Sequence, residues 1–462
     1  MNCRTQYVIL SRLFPGERID EMSYPFGQPE PLFKFDHLVK AFHQTLEGLP
    51  DERTGNNSVY RIKDAVLGAF SVFFTQCPSF LAFQKAMEKA KGISNAQTLF
   101  AIEKIPCDNQ IRNLLDPVTP EHIFPVFWSI FEDLDAVRHL EGFRSFNGHL
   151  LLGLDATDYF GSQKIHCPQC SQTPHTNGTI SYSHKAITPV LIAPGHEQVI
   201  SLAPEFLTPQ DGHDKQDSET AAAKRWLAQY GRRFGAMNTT VLGDDLYCHQ
   251  PLCEAILASG QSFILVCKPD SHKTLYDWIE GMPMETVRVR RWTGRRHEID
   301  TYRFVNQVPL RDGEQALLVN WCELITTDLQ GKMLYKNAFA TNHRITRHNV
   351  VELVRAGRAR WKIENENNNV LKTKGYHLEH NFGHGQRHLS SLLLSLNLLA
   401  FLFHTVLALF DTKYQLIRKA LPSRQTFFDD LRALTRYLCF PSWEALLDFM
   451  IEGLELTPPD TG

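Results

Sequence analysis

The sequence lacks the marks of several large protein classes. Its first residues, MNCRTQYVILSRLFPG, have no long apolar run followed by small residues, so we expect no secretory signal peptide. The ten cysteines follow no framework spacing, which favours reduced thiols in a cytosol over a disulfide-stapled secreted fold. The formal net charge is only −3, so any contact with nucleic acid must rest on local basic patches.

One long apolar run is present, over residues 390–410. It is nearly long enough to cross a bilayer, but a fully buried core helix explains it equally well. Asn397 and His404 interrupt it, and no second run of this kind occurs in the sequence. We therefore predict no membrane partner. With 462 residues and 43% hydrophobic composition, we expect a globular protein of two or three domains.

The hydrophobic pattern divides the chain into five regions. Residues 1–34 are polar and proline-bearing, which predicts a flexible segment. Apolar positions at helical spacing over 35–148 predict a helical N-terminal domain, which either binds DNA or serves only for packing. Residues 149–284 follow the order strand, strand, strand, helix, strand, helix, strand. Four further strand-like runs over 285–342 predict a β-rich insertion, and helical patterns return over 343–462.

This order of elements predicts an α/β fold. We expect a ribonuclease-H-like mixed sheet flanked by helices, with an N-terminal helical domain and a β-rich insertion. In such a core a hairpin meander continues into parallel strands. Residues 149–284 would form the first part of the catalytic core, and 343–462 would supply its remainder together with the C-terminal helices.

Two acids follow predicted strands. The run LLGLD ends at Asp155 and the run TTVLGD at Asp244, which places both carboxylates where a parallel sheet opens to solvent. Glu364 lies on a long helix predicted over 346–372. Carboxylate oxygens suit two Mg²⁺ or Mn²⁺ ions, which would orient an attacking oxygen and stabilise a leaving oxygen in phosphodiester cleavage.

Each of these acids has a structural alternative. An aspartate at a strand end often forms a turn or caps a helix, and Glu364 could be a solvated residue paired with Arg360. The neighbouring acids are rivals for the same roles: Asp158, Asp245 and Glu366.

The choice of Glu364 over Glu366 rests on helix geometry. On an ideal helix Glu364 shares a face with Trp361 and Leu371, whereas Glu366 points about 200° away. We expect Trp361 and Leu371 to pack toward the sheet and to carry Glu364 inward.

Three stretches around these acids resemble the motifs of DDE transposases of bacterial insertion sequences: GLDATDYF, VLGDDLY and RARWKIENENNNVLKTKGYHLEHNFGHG. The likeness covers most of the chain and fits the group with a β-rich insertion before the final glutamate. It implies that Asp155, Asp244 and Glu364 are the catalytic, metal-binding triad, with Asp244 preferred to Asp245.

Two positions depart from the motif of that family. Gly357 stands where a tyrosine is common, and Leu371 where a lysine is common, with Lys372 one residue later. Arg360 and Glu364 keep the pattern.

The resemblance implies an enzyme that nicks the ends of a mobile DNA element and joins the freed 3′-hydroxyl to target DNA. Its partner would be double-stranded DNA, both element ends and target, bound by a homodimer. The implied location is the bacterial cytoplasm, at the nucleoid. A metal-dependent DNA nuclease on the same fold and a catalytically inactive DNA-binding relative are the alternatives.

Basic residues cluster in two regions. Residues 288–303 hold six arginines, and 343–374 hold eight Lys or Arg against three acids. Such clusters are typical of contact with a phosphate backbone, and the tryptophan in the first could stack on an unpaired base, although a solvated face is the alternative. The residues predicted to contact DNA are Arg290, Arg291, Trp292, Arg295, Arg360 and Lys372.

A second candidate metal site lies in HCPQCSQTPH. Cys167 and Cys170 have the spacing of half a structural Zn²⁺ site, with His175 as a third candidate ligand and His166 and His184 nearby. Reduced loop cysteines are the alternative.

Two other polar clusters receive structural interpretations. Asp217 and Glu219 are predicted to cap the helix that Ser218 opens. The stretch EHNFGHGQRH is predicted to be a loop that touches DNA, with metal binding as the lesser alternative, and its histidines are His380, His384 and His388.

Overall fold

The structure is a computed structural model that describes residues 31–51, 53, 59–87, 90–209 and 216–457, with the side chains of 84–94 left aside. The flexible segment predicted over 1–34 therefore lies outside the described residues, apart from a 3₁₀ turn at Pro31–Phe33.

Thirteen strands are described, and they form two sheets. In chain order they are β1 Leu150–Gly153, β2 Ala156–Ser162, β3 Ser171–Pro174, β4 Ile180–Ile187, β5 Val190–Ile192, β6 Ile200–Ser201, β7 Glu205–Leu207, β8 Thr239–Gly243, β9 Ser262–Val266, β10 Glu285–Trp292, β11 His297–Pro309, β12 Leu318–Asp328 and β13 Met333–Thr341.

The described helices come before, between and after these strands. They are α1 Phe35–Thr45, α2 Ile62–Phe74, α3 Phe80–Met87, α4 Ala90–Phe100, α5 Asp108–Leu115, α6 Phe124–Ala136, α7 Glu219–Ala236, α8 Gln250–Ala258, α9 Lys273–Glu280, α10 Val350–Arg358, α11 Asn369–Thr373, α12 Leu389–Phe410, α13 Thr412–Ala420, α14 Arg424–Tyr437 and α15 Trp443–Gly453.

The large sheet confirms the predicted ribonuclease-H-like order. Its strands run β6-β5-β1-β8-β9, with β1, β5 and β6 antiparallel and β1, β8 and β9 parallel. The central strands are buried along their whole length, as the near-continuous apolar runs LLLG and TTVLG predict. Helices pack on this sheet, so the fold is a mixed α/β one.

The β-rich insertion is confirmed, and it continues the same sheet. Strands β10 to β13 form an antiparallel meander, and β13 pairs with β9 through Phe339 and Val266. The nine-stranded sheet therefore runs from β6 at one edge to β10 at the other. The arginine-rich strand β10 is this second edge.

The small sheet was not predicted from the sequence. It is built from β2, β3, β4 and β7, with β2 and β3 on either side of β4. Its first strand begins at Ala156, directly after Asp155. Polar, exposed residues such as those of β3 give little strand signal, because alternation against a core is absent there.

Helix α12 accounts for the long apolar run. It is long and apolar enough to cross a membrane, and 89% of its most apolar window is buried inside the protein. The two polar residues that interrupt it are hydrogen-bonded. His404 Nε2 lies 2.9 Å from the carbonyl oxygen of Phe74, and the amide of Asn397 donates to the carbonyl of Tyr376 over 2.8 Å. Burial among helices therefore explains its composition.

The helices of the N-terminal region surround α12. Phe70 and Phe74 of α2 pack against its rings, with Phe74 stacked 4.1 Å from His404. The N-terminal helices and the C-terminal helices thus share one apolar core. The predicted domain boundaries, and a DNA-binding role for 35–148, stay predictions.

The single long helix predicted over 346–372 is wrong. Helix α10 ends at Arg358, a turn follows, and Ile363–Asn368 forms a π-helical turn that leads into α11. Before this break, α10 packs closely on the sheet at Gly357. A Cβ at Gly357 would lie 2.8 Å from Ile264 and 2.9 Å from Phe339, so the tyrosine of the family motif has no room here.

Candidate active site and a neighbouring cysteine–histidine cluster

Asp155 and Asp244 lie at the same end of the large sheet, just after the carboxyl ends of two central strands. They follow the adjacent parallel strands β1 and β8, in which Gly153, the last residue of β1, pairs with Leu242, the last residue but one of β8. The backbone N–H of Leu154 donates to the carbonyl of Leu242 over 2.9 Å, which extends the pairing to the residue before Asp155. The carboxyl ends of two parallel strands therefore present two carboxylates together.

Asp155 is the most perturbed of the candidate acids. Burial raises the pKa of its carboxyl group to about 7; the Arg360 guanidinium lowers it, and the charges of Glu219, Asp244 and Glu364 raise it further. A carboxylate that interacts with three other carboxylates marks a site of concentrated negative charge, the usual setting for a cation or an acid–base group.

Asp244 and Asp245 have different surroundings. Asp244 Oδ1 accepts one backbone bond, from Leu246 over 2.9 Å, as the cap of a short 3₁₀ turn. Asp245 instead accepts from Lys268 N over 2.6 Å and from the Ser271 hydroxyl, and it lies 3.4 Å from His272 Nε2. Its oxygens are thus already engaged.

Glu364 lies on the π-helical turn, and its side chain is 59% exposed. Its Oε2 is 4.0 Å from Arg360 Nη2. The expectation that Trp361 packs toward the sheet is wrong, because Trp361 is 46% exposed, whereas Leu371 is buried as expected. In a π turn the backbone hydrogen bond joins residues i and i+5 rather than i and i+4, so the faces of an ideal α-helix do not apply.

The residue that docks this turn on the sheet is Ile363. It is fully buried, and it fills the space above Gly153 at the end of β1. A Cβ at Gly153 would lie 2.5 Å from Ile363 Cδ1. This contact joins the end of the strand before Asp155 to the turn that carries Glu364.

A chain of buried amides connects the π turn to Asp155. Ser201 donates to Asn367 over 3.2 Å, Asn367 to Asn368 over 3.0 Å, and Thr188 also to Asn368 over 3.0 Å. The Asn368 amide in turn lies 3.5 Å from Asp155 Oδ2. Amide donors of this kind orient a carboxylate without neutralising it.

Glu219 is a fourth carboxylate of the site, which the sequence analysis missed. Ser218 caps α7, as predicted, through Ala221 N. Glu219, expected to be a cap as well, instead accepts from the Tyr247 hydroxyl over 2.8 Å and from Ala156 N over 3.3 Å. Burial raises its pKa, and the charge of Asp244 adds to the shift. Acids are common in the first turn of a helix, so the sequence offers no reason to assign Glu219 to the site.

Within the described part of the chain, two other groups have ligand atoms mutually within 4.8 Å, whereas the three predicted acids do not form such a group. One group combines Cys248, Cys267 and His272. The other combines residues of the small sheet with one from the loop before α12: Cys167, Cys170, His184 and His384.

The four-residue group confirms that Cys167 and Cys170 belong to a cluster of side chains that could hold a metal ion. The two Sγ atoms are 3.9 Å apart, and both lie 3.5 Å from His184 Nε2. Cys170 Sγ is 3.6 Å from His384 Nε2. A hydrogen bond between the thiols lowers the pKa of Cys170 to about 7 and raises that of Cys167.

His175, the third ligand predicted from the sequence, is elsewhere. It is exposed and bonded to the Ser181 hydroxyl over 2.6 Å. Of the loop histidines, His384 alone belongs to the four-residue group. Its separation of 214 residues from Cys170 gives no local spacing to recognise.

The predicted DNA-contacting residues fall into three settings. Arg290 and Trp292 lie on the exposed side of β10, and Arg295 is exposed in the turn after it. Arg291 points to the other side and is paired with buried Glu298 and Asp300 at 2.5 and 2.7 Å, so its charge is already balanced. Arg360 lies beside the acids, and Lys372 is 2.8 Å from Glu379.

Comparison with protein-family models and with curated proteins gives no match. Among solved structures, the chain is similar to one described as "Cryo-EM structure of piggyBac transposase synaptic complex with hairpin DNA (SNHP)". The sequence identity is 10% and the TM-score 0.38, over 94% of this chain and 85% of the other. A likeness of this size does not establish a shared function.

Proposed function

We propose that this chain is a transposase of an insertion sequence. It cleaves DNA at the ends of its element and joins the 3′-hydroxyl to target DNA, using two Mg²⁺ or Mn²⁺ ions held by Asp155, Asp244 and Glu364. The observation that carries the proposal is the exit of two aspartates from adjacent parallel strands, with Glu364 within electrostatic reach of Asp155. The ribonuclease-H-like strand order supports it.

The donor set fits divalent cations that prefer oxygen. Burial and three neighbouring carboxylates raise the pKa of Asp155 to about 7, so the protein alone does not balance this charge. A divalent cation would balance it, and carboxylate oxygens are the ligands that Mg²⁺ and Mn²⁺ accept. When bound, two such metal ions would polarise the scissile phosphate and lower the pKa of an attacking water or hydroxyl.

The residues of the chain divide the remaining work. Asn368 orients Asp155, and the Leu246 N–H holds Oδ1 of Asp244. Arg360, beside Glu364, is placed to bind a phosphate oxygen of the DNA. Glu364, being exposed, can move onto the site when DNA and cations arrive.

The exposed residues on and after β10 are the proposed contact with the DNA backbone. Arg290 and Arg295 form no ion pair within the described chain, so their charges are available to phosphates. Cleavage at paired element ends would bring two copies of the chain together as a homodimer on DNA.

A strand-transfer assay tests the proposal. Duplexes carrying pre-cleaved element ends, taken from inverted repeats that flank the coding region, are incubated with a target plasmid and Mg²⁺. We expect joined product with the unaltered chain and a loss on the order of 10³-fold or more with Asp155→Asn, Asp244→Asn or Glu364→Gln. Asp158→Asn is the matched control, since Asp158 is exposed and paired with Lys185 at 3.4 Å.

The other outcomes identify the alternatives. Cleavage without joined product would make the chain a metal-dependent nuclease on this core. No Mg²⁺-dependent product of either kind, together with retained DNA binding, would make it an inactive DNA-binding relative.

A further inference from the structure

The cysteine–histidine cluster joins three segments of the chain that are far apart in sequence. Cys167 and Cys170 lie in the turn between β2 and β3, His184 lies on β4, and His384 lies in the loop between α11 and α12. All four are buried, with exposed fractions between 1% and 9%. Buried polar groups gathered in this way need a shared partner, because a hydrophobic surrounding does not satisfy them.

The distances within the cluster fit one tetrahedral ion. Zn–S bonds of about 2.3 Å and Zn–N bonds of about 2.0–2.1 Å place two sulfurs roughly 3.8 Å apart and a sulfur and a nitrogen roughly 3.5 Å apart. The structure has 3.9 Å between the Cys167 and Cys170 sulfurs. Three of the four sulfur–nitrogen distances, from both sulfurs to His184 and from Cys170 to His384, are 3.5 to 3.6 Å.

The histidines use the same nitrogen. In both His184 and His384 it is Nε2 that faces the sulfurs. Nδ1 of His384 is buried and has no protein hydrogen-bond partner among the described residues, so Nε2 is the nitrogen with a role in the cluster. A disulfide would need sulfurs about 2.05 Å apart, far closer than they are here.

At this position, an ion would connect the two segments that flank the acids. Strand β2 begins one residue after Asp155, and His384 follows the segment that carries Glu364 and α11. The loop at His384 is otherwise held by Asp116, which accepts from Gln386 N and Arg387 N over 3.1 and 3.0 Å. A bond from His384 to the small sheet would fix the Glu364 segment relative to the strand after Asp155.

We propose that Cys167, Cys170, His184 and His384 bind one structural Zn²⁺ ion that clamps the loop before α12 onto the small sheet. Four protein ligands leave no open coordination position, so this ion takes no part in the chemistry at the acids. The proposal does not depend on the chain being a transposase.

Metal analysis of the purified full chain, prepared without a polyhistidine tag, tests the proposal. We expect about one equivalent of zinc, as one four-coordinate site requires, and less than about 0.2 equivalents in Cys170→Ser. Cys253→Ser is the matched control, because Cys253 is a fully buried cysteine outside both metal-ligand groups. Cys267→Ser tests whether the zinc is instead bound by the group of Cys248, Cys267 and His272. We expect this variant to keep its zinc.

A ligand exchange keeps the test decisive if Cys170→Ser fails to fold. His384→Cys supplies another zinc ligand, so we expect it to retain the ion, whereas His384→Ala should lose it. After replacement of zinc by Co²⁺, His384→Cys should show stronger thiolate-to-cobalt absorption than the unaltered chain, because a third sulfur has joined the ion.

Three results would overturn the proposal. The first is a chain that contains no zinc and binds none when Zn²⁺ is added. The second is a Cys167–Cys170 disulfide in protein purified under reducing conditions. The third is zinc that remains in both Cys170→Ser and His384→Ala but disappears in Cys267→Ser.

Discussion

The amide of Asn368 points at the carboxylate of Asp155, with Nδ2 3.5 Å from Oδ2. Asn368 belongs to the π-helical turn that also carries Glu364, and Asp155 follows the central strand β1. One side-chain contact therefore connects the π-helical turn to the residue that follows β1 by two positions. The fold thus orients Asp155 through a residue of the turn that carries Glu364.

Replacing Asn368 by alanine should weaken both stability and activity. The change removes the acceptor of the Thr188 hydroxyl and of the Asn367 amide nitrogen, and it frees the Asp155 carboxylate. We therefore expect a loss of about 1–3 kcal/mol in the free energy of unfolding and a lower strand-transfer rate. Asn369→Ala is the control: that side chain is exposed, and its removal should change stability by less than about 0.5 kcal/mol. Chemical denaturation of both variants measures the difference in unfolding free energy. Equal losses in the two variants would show that the amide network does not stabilise the fold.

Asp155→Asn should stabilise the metal-free protein at alkaline pH. The folded pKa of about 7 lies above the ordinary value of 3.8, so the native state holds the proton more tightly than the unfolded state. The free energy of unfolding therefore falls as the pH rises from about 4 to about 7, and the penalty persists above that range.

Asparagine removes this penalty. We expect a gain on the order of 2 kcal/mol at pH 8 in the presence of a chelator, discounted for partial solvent exposure, and no gain at pH 4. Thermal denaturation at the two pH values, with Asp158→Asn beside it, measures the effect. A gain of the same size at both would show that Asp155 is not perturbed.

Gly153→Ala should displace the segment that carries Glu364. The added Cβ would lie 2.5 and 2.6 Å from two atoms of Ile363, so we expect a cost of about 1–3 kcal/mol in unfolding free energy. Gly161→Ala on β2 is the matched control, since its Cβ would meet no atom within 4 Å.

The double variant Gly153→Ala with Ile363→Ala isolates that contact. It should cost less than the sum of the single changes, because the collision is absent when Ile363 is truncated. Strict additivity, measured by denaturant unfolding, would mean that the two residues do not press on each other.

Removing Arg290 and Arg295 together should lower the salt dependence of DNA binding. Each lost phosphate contact reduces the slope of log affinity against log salt by about 0.9, so the double alanine variant should lose about 1.8. Arg291→Ala should instead leave the slope nearly unchanged and destabilise the fold, because it removes one cation that pairs with both buried acids, Glu298 and Asp300. A salt dependence that changes in Arg291→Ala but not in the double variant would show that DNA does not contact Arg290 and Arg295.

The sequence was most informative where a feature was local. The runs LLLG and TTVLG predict buried strands that lead to Asp155 and Asp244, and the observed strands end at Gly153 and Gly243, just before these acids. The apolar run before Phe410 predicts a core helix, and α12 is buried.

Features that depend on distant contacts were missed. Glu219 has the sequence context of a helix start, and only Tyr247 and Ala156 give it a place at the acids. His384 joins Cys170 across 214 residues, and no spacing predicts that. The π turn at Ile363 likewise has no pattern of its own, so an ideal helix misplaced Trp361.

The most direct test of the account is crystallography of the chain bound to a pre-cleaved element end in Mn²⁺, with anomalous scattering recorded at the manganese edge. We predict two manganese peaks about 3.5–4 Å apart, held by the carboxylates of Asp155, Asp244 and Glu364. Manganese peaks away from Asp155, or none beside the DNA 3′-hydroxyl, would contradict it.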